Sequence, residues 1–344
     1  MARVLVAMSG GVDSSVAALL LKEEGHEVVG VTLKLWGGVS DSGCCSVSDV
    51  EDARFVSHQL GLKHLVFNLA DAFGERVVSH YVDTYLAGAT PNPCIECNRS
   101  IKFDLLLARS VELGFDYLAT GHHARIAEIS GRRRIRRGVD VRKDQSYVIA
   151  VMPPGATQRL LLPVGSFTKE EIRRIAAEAG LRTAAKPDSQ EVCFIASRSS
   201  KEEFLSGYGR LHPARVFDPV SGRTVEDDVP FETVTIGQRR RIGGLGDSMR
   251  RYVVGKDPAT RTLTVRTADS LLVSELPVAR FTDFTGEGGK LAGMLQGSAH
   301  GGVVPGDLGP AGVRFDRPAR RIAPGQTVVL YRGDLVAASA TVTA

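Results

Sequence analysis

Val4-Leu5-Val6-Ala7-Met8-Ser9-Gly10-Gly11-Val12-Asp13-Ser14-Ser15 decides the fold. Four apolar residues read as a short buried strand, a Gly-rich bend follows, and an amphipathic helix opens from it. A strand, a glycine turn and a helix N-terminus make an anion cradle, because unpaired backbone N–H groups and the positive end of the helix dipole face outward together. Gly10 and Gly11 let the backbone approach an oxyanion without a Cβ in the way. Ser9, Ser14 and Ser15 add hydroxyl donors, and Asp13 is placed to reach a magnesium ion. The run lacks the lysine and the spacing of the ordinary P-loop.

The pattern repeats outward from that point. Val4–Met8 is predicted as the first strand and Ser14 to about Glu24 as a helix, with Val28–Leu33 the second strand. Ser48 and Glu51 have capping-box spacing ahead of a helix ending near Gly61. Leu65–Asn68 reads as a strand, Phe73–Ala87 as a long helix, Asn98–Leu113 as another, and Tyr117–Thr120 as a strand ending at Gly121-His122. This is the alternation of a doubly wound parallel sheet, whose ligands sit at the carboxyl ends of the strands. The loops at 9–15, 33–45, 90–98 and 121–122 are therefore expected on one face. Thr168 and Glu171 form a second capping box for a helix with an Ile172, Ile175, Ala176, Ala179 stripe, stopped by Gly180. Beyond about residue 210 the chain changes to short β-like runs at Thr233–Ile236, Tyr252–Val254, Leu263–Val265 and Thr327–Tyr331, punctuated by Gly and Pro. The expected organisation is a catalytic domain over 1–198, a small central domain over 199–256 and a β-barrel-like domain over 257–344. Gly286–Gly312 reads as a glycine-rich mobile insertion.

The 344 residues are 43% hydrophobic, enough for packed cores. The longest apolar runs are too short for a bilayer, and the chain opens on a strand pattern with no visible signal peptide, so a cytoplasmic protein without a membrane partner is expected. Net charge is only +4, but arginines cluster at Arg132, Arg133, Arg134, Arg136 and Arg137, and again at Arg239, Arg240, Arg241, Arg250 and Arg251. Such blocks suit a phosphate backbone or a solvated hairpin tip. Five cysteines, an odd number, argue for thiol or metal chemistry rather than a disulfide scaffold. Cys94-Ile95-Glu96-Cys97 follows two prolines and sits at the start of the predicted helix, where the dipole lowers a thiol pKa. Cys193 lies far off in Asp188-Ser189-Gln190-Glu191-Val192-Cys193-Phe194-Ile195. Cys44-Cys45 reads as packing, and Trp36 as a pocket wall.

SGGVDSS at 9–15 resembles the pyrophosphate loop of the ATP-pyrophosphatases, an adenine nucleotide alpha-hydrolase-like fold. TPNPCxxCN at 90–98, ATGH at 119–122, KDQSY at 143–147, Leu162-Pro163-Val164-Gly165, the CFI at Cys193 and Thr235-Ile236-Gly237-Gln238-Arg239 complete a set spanning nearly the whole chain. That set is similar to the bacterial tRNA-uridine 2-sulfurtransferases, the tRNA-specific 2-thiouridylases. The resemblance implies ATP-dependent adenylation of the C2 carbonyl of a wobble uridine, with release of pyrophosphate. Sulfur transfer from a cysteine persulfide then releases AMP and leaves 2-thiouridine.

By motif position it implies Cys97 as nucleophile and Cys193 as persulfide carrier, the two forming a transient disulfide. Cys94 stands where some members carry an aspartate acid/base. ATP would be lined by Ala7, Met8, Ser9, Gly10, Gly11, Val12, Asp13, Ser14, Leu33 and Gly121, with Mg2+. Asn92, Pro93 and Cys94 would meet the target base, flipped out of its stack. His122, Lys143, Asp144, Gln145, Arg314, Phe315 and Gln326 would contact tRNA of the Lys, Glu and Gln types. A cysteine desulfurase or sulfur-relay protein is the implied donor. Three thiols leave open a second sulfur route, an iron–sulfur cluster held by Cys94, Cys97 and Cys193. Two other readings remain: the same ATP chemistry on another acceptor, which the thiols speak against, and a non-catalytic RNA-binding protein with a structural metal, which the intact loop speaks against.

Overall fold

A computed structural model describes residues 1–36, 47–129, 131–188, 192–195, 200–240, 242 and 250–344, with the side chains of 225–227 also outside the description. Cys44, Cys45, Arg241 and the Ser189-Gln190-Glu191 part of the Cys193 motif lie outside the described residues. The chain gathers into two compact units: Met1–Val78 with Pro93–Arg198 and Asp334–Val336, and Ser79–Asn92 with Ser199–Gly333 and Ala337–Ala344. No helix among the described residues is long and apolar enough to cross a membrane.

The first unit is built on β1 (Arg3–Ala7), β2 (Glu27–Lys34), β3 (Lys63–Asn68) and β4 (Tyr117–Thr120). A hairpin, β5 (Ala124–Ile129) and β6 (Arg132–Arg137), precedes the two-residue β7 (Leu160–Leu161). The sheet order is β3-β2-β1-β4-β7, with every pairing parallel. The strand order reverses between β1 and β4, so the loops that leave these two strands open the crevice where such sheets bind ligands. Helix α1 (Val12–Glu23) covers β1 with Val12, Val16, Ala17 and Leu19 buried against Val4, Val6 and Ala119. Helix α2 spans Val47–Gln59. Ser48 lies inside it, so the Ser48/Glu51 spacing is not its cap. The Thr168 cap is as predicted: its hydroxyl accepts from the Glu171 N–H and the Glu171 carboxylate accepts from the Thr168 N–H. Gly180 follows at φ +65.

The second predicted helix pair differs in detail. Ala70–Leu86 is helical throughout, with a wider turn over Gly74–Ser79. The helix expected from Asn98 starts earlier, at Pro93, and runs to Glu112 through a wide-turned stretch over Asn98–Leu106. Proline suits a first helical position, since its missing N–H costs nothing there. Cys94 thus sits in the first turn, and Cys97 is the fifth helical residue rather than the first.

The second unit holds a four-stranded sheet of β8 (Pro213–Asp218), β9 (Arg223–Pro230), β10 (Tyr252–Asp257) and β11 (Thr262–Arg266), ordered β10-β11-β8-β9. The sheet reaches Arg266, past residue 256. Thr233–Ile236 is not a strand; a 3-10 turn occupies Phe231–Thr233. The helix His80–Leu86 belongs to this unit because Tyr81 and Tyr85 stack edge-on, Tyr81 meets Phe204, and Lys201 lies over Tyr85. The last six strands, β12 (Leu272–Asp283), β13 (Leu291–Gln296), β14 (Val303–Gly309), β15 (Gly312–Arg320), β16 (Thr327–Arg332) and β17 (Leu335–Val342), follow the order β12-β15-β14-β13-β16-β17, and β12 pairs β17 to close a barrel. Gly286–Gly312 is therefore no mobile insertion: it supplies β13 and β14. Closure removes sheet edges. Leu291, Leu295, Leu308, Val313, Phe315, Val328, Leu330 and Val342 fill the interior.

Candidate active site

The loop after β1 is fixed from inside. Gly10 takes φ +69, and a Cβ there would strike the Asp49 carbonyl of α2. Ser14 Oγ accepts from the Ser9 N–H at 3.1 Å and donates to the Gly11 carbonyl at 3.1 Å, where Ser15 Oγ also donates at 2.9 Å. The serines thus hold the bend, while no side chain caps α1 at Gly11. The N-terminal N–H groups that any helix leaves outside its own ladder suit an anion at this end of α1. Gly121, at the end of β4, packs against this turn: a Cβ would lie 2.6 Å from the Ser14 nitrogen. Met8 and Leu33 are buried beneath the loop, and the Thr32 hydroxyl donates to the Met8 carbonyl at 2.9 Å.

Asp13 is the charged centre of the crevice. Both carboxylate oxygens accept from Lys169 Nζ, at 2.7 and 2.8 Å, and His123 Nε2 donates at 3.0 Å. Nε2 therefore carries the proton, and His123 Nδ1 is buried without a hydrogen-bond partner. Burial pushes the Asp13 carboxyl up, but the His123 and Lys169 hydrogen bonds outweigh it and hold it below its ordinary value. Lys169 also meets Asp188 at 2.8 Å, and its N–H donates to Asp140 at 3.1 Å. Asp188 in turn accepts from Lys143 at 2.7 Å and Arg173 at 2.9 Å. Against the burial cost, Lys143 and Lys169 draw its carboxyl down to about 2.

The segment leading to Cys193 is tied to the same network. Arg173 donates to the carbonyls of Ala184 and Lys186, at 2.8 and 2.9 Å. Lys186 bridges Asp49 and Asp52 of α2, both at 2.6 Å. Phe194 is buried, with its ring 5.8 Å from Phe73 and 6.2 Å from Trp36. Trp36 is thus a wall against Phe194. Cys193 itself is half-buried, Cys97 buried and Cys94 exposed. Asn98, next to Cys97, is buried and donates to the Val148 carbonyl at 3.0 Å, which ties the thiol-bearing helix to the segment after KDQ.

The remaining sequence-predicted residues fall into two sets. His122 is buried, its Nδ1 is 2.8 Å from Thr120 Oγ1, and burial pushes its pKa well down. The Asp144 carboxylate faces inward, accepting from Arg137, the Gly138 and Ser146 N–H groups and the Ser146 hydroxyl. Gln145 exchanges bonds with His123. In the second unit, Phe315 is in the barrel core while Arg314 is exposed and pairs with Asp307 at 3.3 Å. Gln326 donates to the Thr90 carbonyl at 2.7 Å. The first unit thus holds the 9–15 loop, Gly121, Lys143, Cys94, Cys97 and Cys193. Asn92, Arg314, Phe315 and Gln326 belong to the second.

Sequence reading missed Lys169, His123, Arg173 and the role of Asp188. Lys169 follows the Thr168 cap and reads as an ordinary first-turn residue. The one available signal was Asp188, already inside a motif stretch and one of few carboxylates there.

A family model described as tRNA methyl transferase HUP domain matches residues 2–197, and one described as aminomethyltransferase beta-barrel domain matches 298–342. The tRNA-specific 2-thiouridylase MnmA of Mycolicibacterium smegmatis is 44% identical over 99% of both chains. This chain belongs to the MnmA family of tRNA-specific 2-thiouridylases. MnmA of Desulforamulus reducens is 40% identical over 99% of this chain and 96% of its own. MnmA enzymes are tRNA-uridine sulfurtransferases, and this member carries their ATP-pyrophosphatase fold with the closed barrel. Among solved structures, the U34-tRNA thiolase NcsA of Methanococcus maripaludis with its 4Fe-4S cluster is 18% identical over 56% of this chain and 61% of that one, at a TM-score of 0.37.

Proposed function

We propose that the protein thiolates C2 of the wobble uridine in tRNA, in two steps. The uridine O2 attacks the α-phosphorus of ATP, and pyrophosphate leaves. Adenylation matters because a carbonyl oxygen is a poor leaving group and AMP is a good one. The outer sulfur of a Cys193 persulfide then bonds to C2, and AMP departs with O2. Cys97 thiolate attacks the inner sulfur, the S–S bond breaks toward the base, and 2-thiouridine remains beside a Cys97–Cys193 disulfide. A dithiol reductant returns the two electrons before the next turnover.

The observation that carries this reading is the Asp13–Lys169–Asp188 chain, which joins the nucleotide loop to the root of the Cys193 segment within one unit. Lys169 brings positive charge, and His123 an N–H donor, to where a triphosphate would lie over the α1 N-terminus, as phosphoryl chemistry needs. A magnesium ion would arrive with ATP, bound mostly by phosphate oxygens and water, and Asp13 is the carboxylate of the loop that suits it. It would neutralise charge on the leaving pyrophosphate. Among the described residues no three His, Cys, Asp or Glu side chains gather as an ion site. An iron–sulfur cluster on Cys94, Cys97 and Cys193 would need all three thiols drawn together, whereas the persulfide route needs only Cys97 and Cys193. Cys94, exposed in the first helical turn, is assigned to the target base together with Asn92 and Pro93. A cysteine desulfurase or relay protein in the cytoplasm is the proposed source of the persulfide.

The test uses purified protein with ATP, unmodified tRNA and a persulfide donor. Pyrophosphate, AMP and 2-thiouridine should form together, the last read by nucleoside mass spectrometry. Cys193→Ser should reduce 2-thiouridine at least a hundredfold while tRNA binding by gel shift stays within twofold. A Cys193→Ser enzyme that thiolates normally would refute the persulfide assignment.

A further inference from the structure

Thr90 is gripped from several parts of its own unit. Its N–H donates to the Pro324 carbonyl at 2.8 Å, its carbonyl accepts from Gln326 Nε2 at 2.7 Å, and its hydroxyl donates to Thr235 Oγ1 at 3.1 Å. Gly325 lies against it at φ +89, where a Cβ would come within 2.9–3.1 Å of the Thr90 carbonyl oxygen, carbon and nitrogen. The Gly325-Gln326 turn is itself braced on β17: the Gly325 N–H donates to the Val342 carbonyl at 2.9 Å, and the Gln326 carbonyl accepts from Val342 at 2.8 Å. A surface loop satisfies its backbone with water at little cost. Here instead both backbone groups and the side chain of one residue are taken up by the Pro324–Gln326 turn of the barrel and by Thr235, just past the 3-10 turn at Phe231–Thr233. The glycine is required, since any larger residue would meet both a left-handed backbone and the Thr90 peptide.

Two residues after Thr90 comes Asn92, in the same unit. We propose that Gln326 and the Gly325 turn are positioning devices that fix the Thr90–Asn92 loop for the target uridine, Gln326 acting through the Thr90 carbonyl rather than by touching RNA. This rests on the thiolation reading above. The barrel then has a part in turnover distinct from holding tRNA: it sets the register of the loop that meets the base. A loop held this way arrives ordered, so ordering entropy is not subtracted from the reactive encounter.

The test compares wild type with Gln326→Met, which keeps length and removes the donor, and with Thr235→Val, which keeps shape and removes the hydroxyl. Amide exchange at Thr90 in the full chain without tRNA should be at least tenfold faster in Gln326→Met. Thiolation in a single turnover at saturating tRNA should slow about tenfold in Gln326→Met and about threefold in Thr235→Val, with tRNA affinity within twofold of wild type for both. Weaker tRNA binding with an unchanged saturated rate would mean that Gln326 contacts RNA instead, and unchanged Thr90 exchange would remove the staple itself. Were the wild type inactive on tRNA, the thiolation reading would fall, while the exchange comparison would still decide whether the loop is held.

Discussion

At the scale of single residues, the crevice depends on paired charge more than on the glycine loop alone. Asp188 holds Lys143, Lys169 and Arg173 at once, and its carboxyl lies near 2 against an ordinary 3.8. A depressed carboxyl adds stability that is fully present above about pH 4 and fades as pH falls toward about 2. The shift corresponds to at most about 2 kcal/mol for this partly buried group, since solvent screens part of it. Asp188→Asn should therefore lose up to about 2 kcal/mol in urea unfolding at pH 7, and the gap from wild type should narrow at pH 3. A gap of equal size at both pH values would show that the ion pairs do not stabilise the fold. Lys143, expected at a phosphate, is bound here to Asp188, so a tRNA contact would have to draw it from that partner.

At the scale of elements, the crevice is a matter of close backbone approach. The loop after β4 meets the first turn of α1 because Gly121 has no side chain, and the alternative atom would lie 2.6 Å from the Ser14 nitrogen. Gly121→Ala must push the two loops apart at the α1 N-terminus, the proposed seat of the nucleotide. We expect at least a tenfold rise in the ATP concentration for half-maximal pyrophosphate release, with tRNA affinity unchanged. An unaltered ATP requirement would place the nucleotide elsewhere. The helix from Pro93 shows how an element limit alters a chemical reading. Its start four residues before Cys97 moves the strongest dipole effect to Cys94, since that field fades within the first turn.

At the scale of the whole chain, RNA contact has to be separated from folding. Of the arginine block in β6, Arg133 donates to the Gln158 and Leu160 carbonyls, Arg136 pairs with Asp334, and Arg137 pairs with Asp144. Those three side chains hold the protein together, and Arg132 is the exposed member. In the barrel the pair Arg314-Phe315 divides by the two-residue period of a strand. Phe315→Ala should cost about 3 kcal/mol of stability, as a buried aromatic does. Arg314→Ala should leave stability nearly untouched, weaken tRNA binding and lower the salt slope of log Kd by about one. An unchanged slope would show that Arg314 makes no phosphate contact.

The amino-acid sequence by itself determined the parallel sheet, the nucleotide loop, the Thr168 cap and the family, because each rests on local spacing: a period of two or 3.6, a glycine at a bend, a motif of fixed length. Tertiary structure alone decided what depends on residues distant in the chain. Lys169 meets Asp13 across 156 positions and Gln326 meets Thr90 across 236, and no local pattern marks either pairing. The glycine-rich 286–312 stretch became two barrel strands for the same reason. Its two strands pair with each other and are completed on their outer edges by β16 and β15, strands further along the chain, so composition pointed to a loop where closure of the barrel required a sheet.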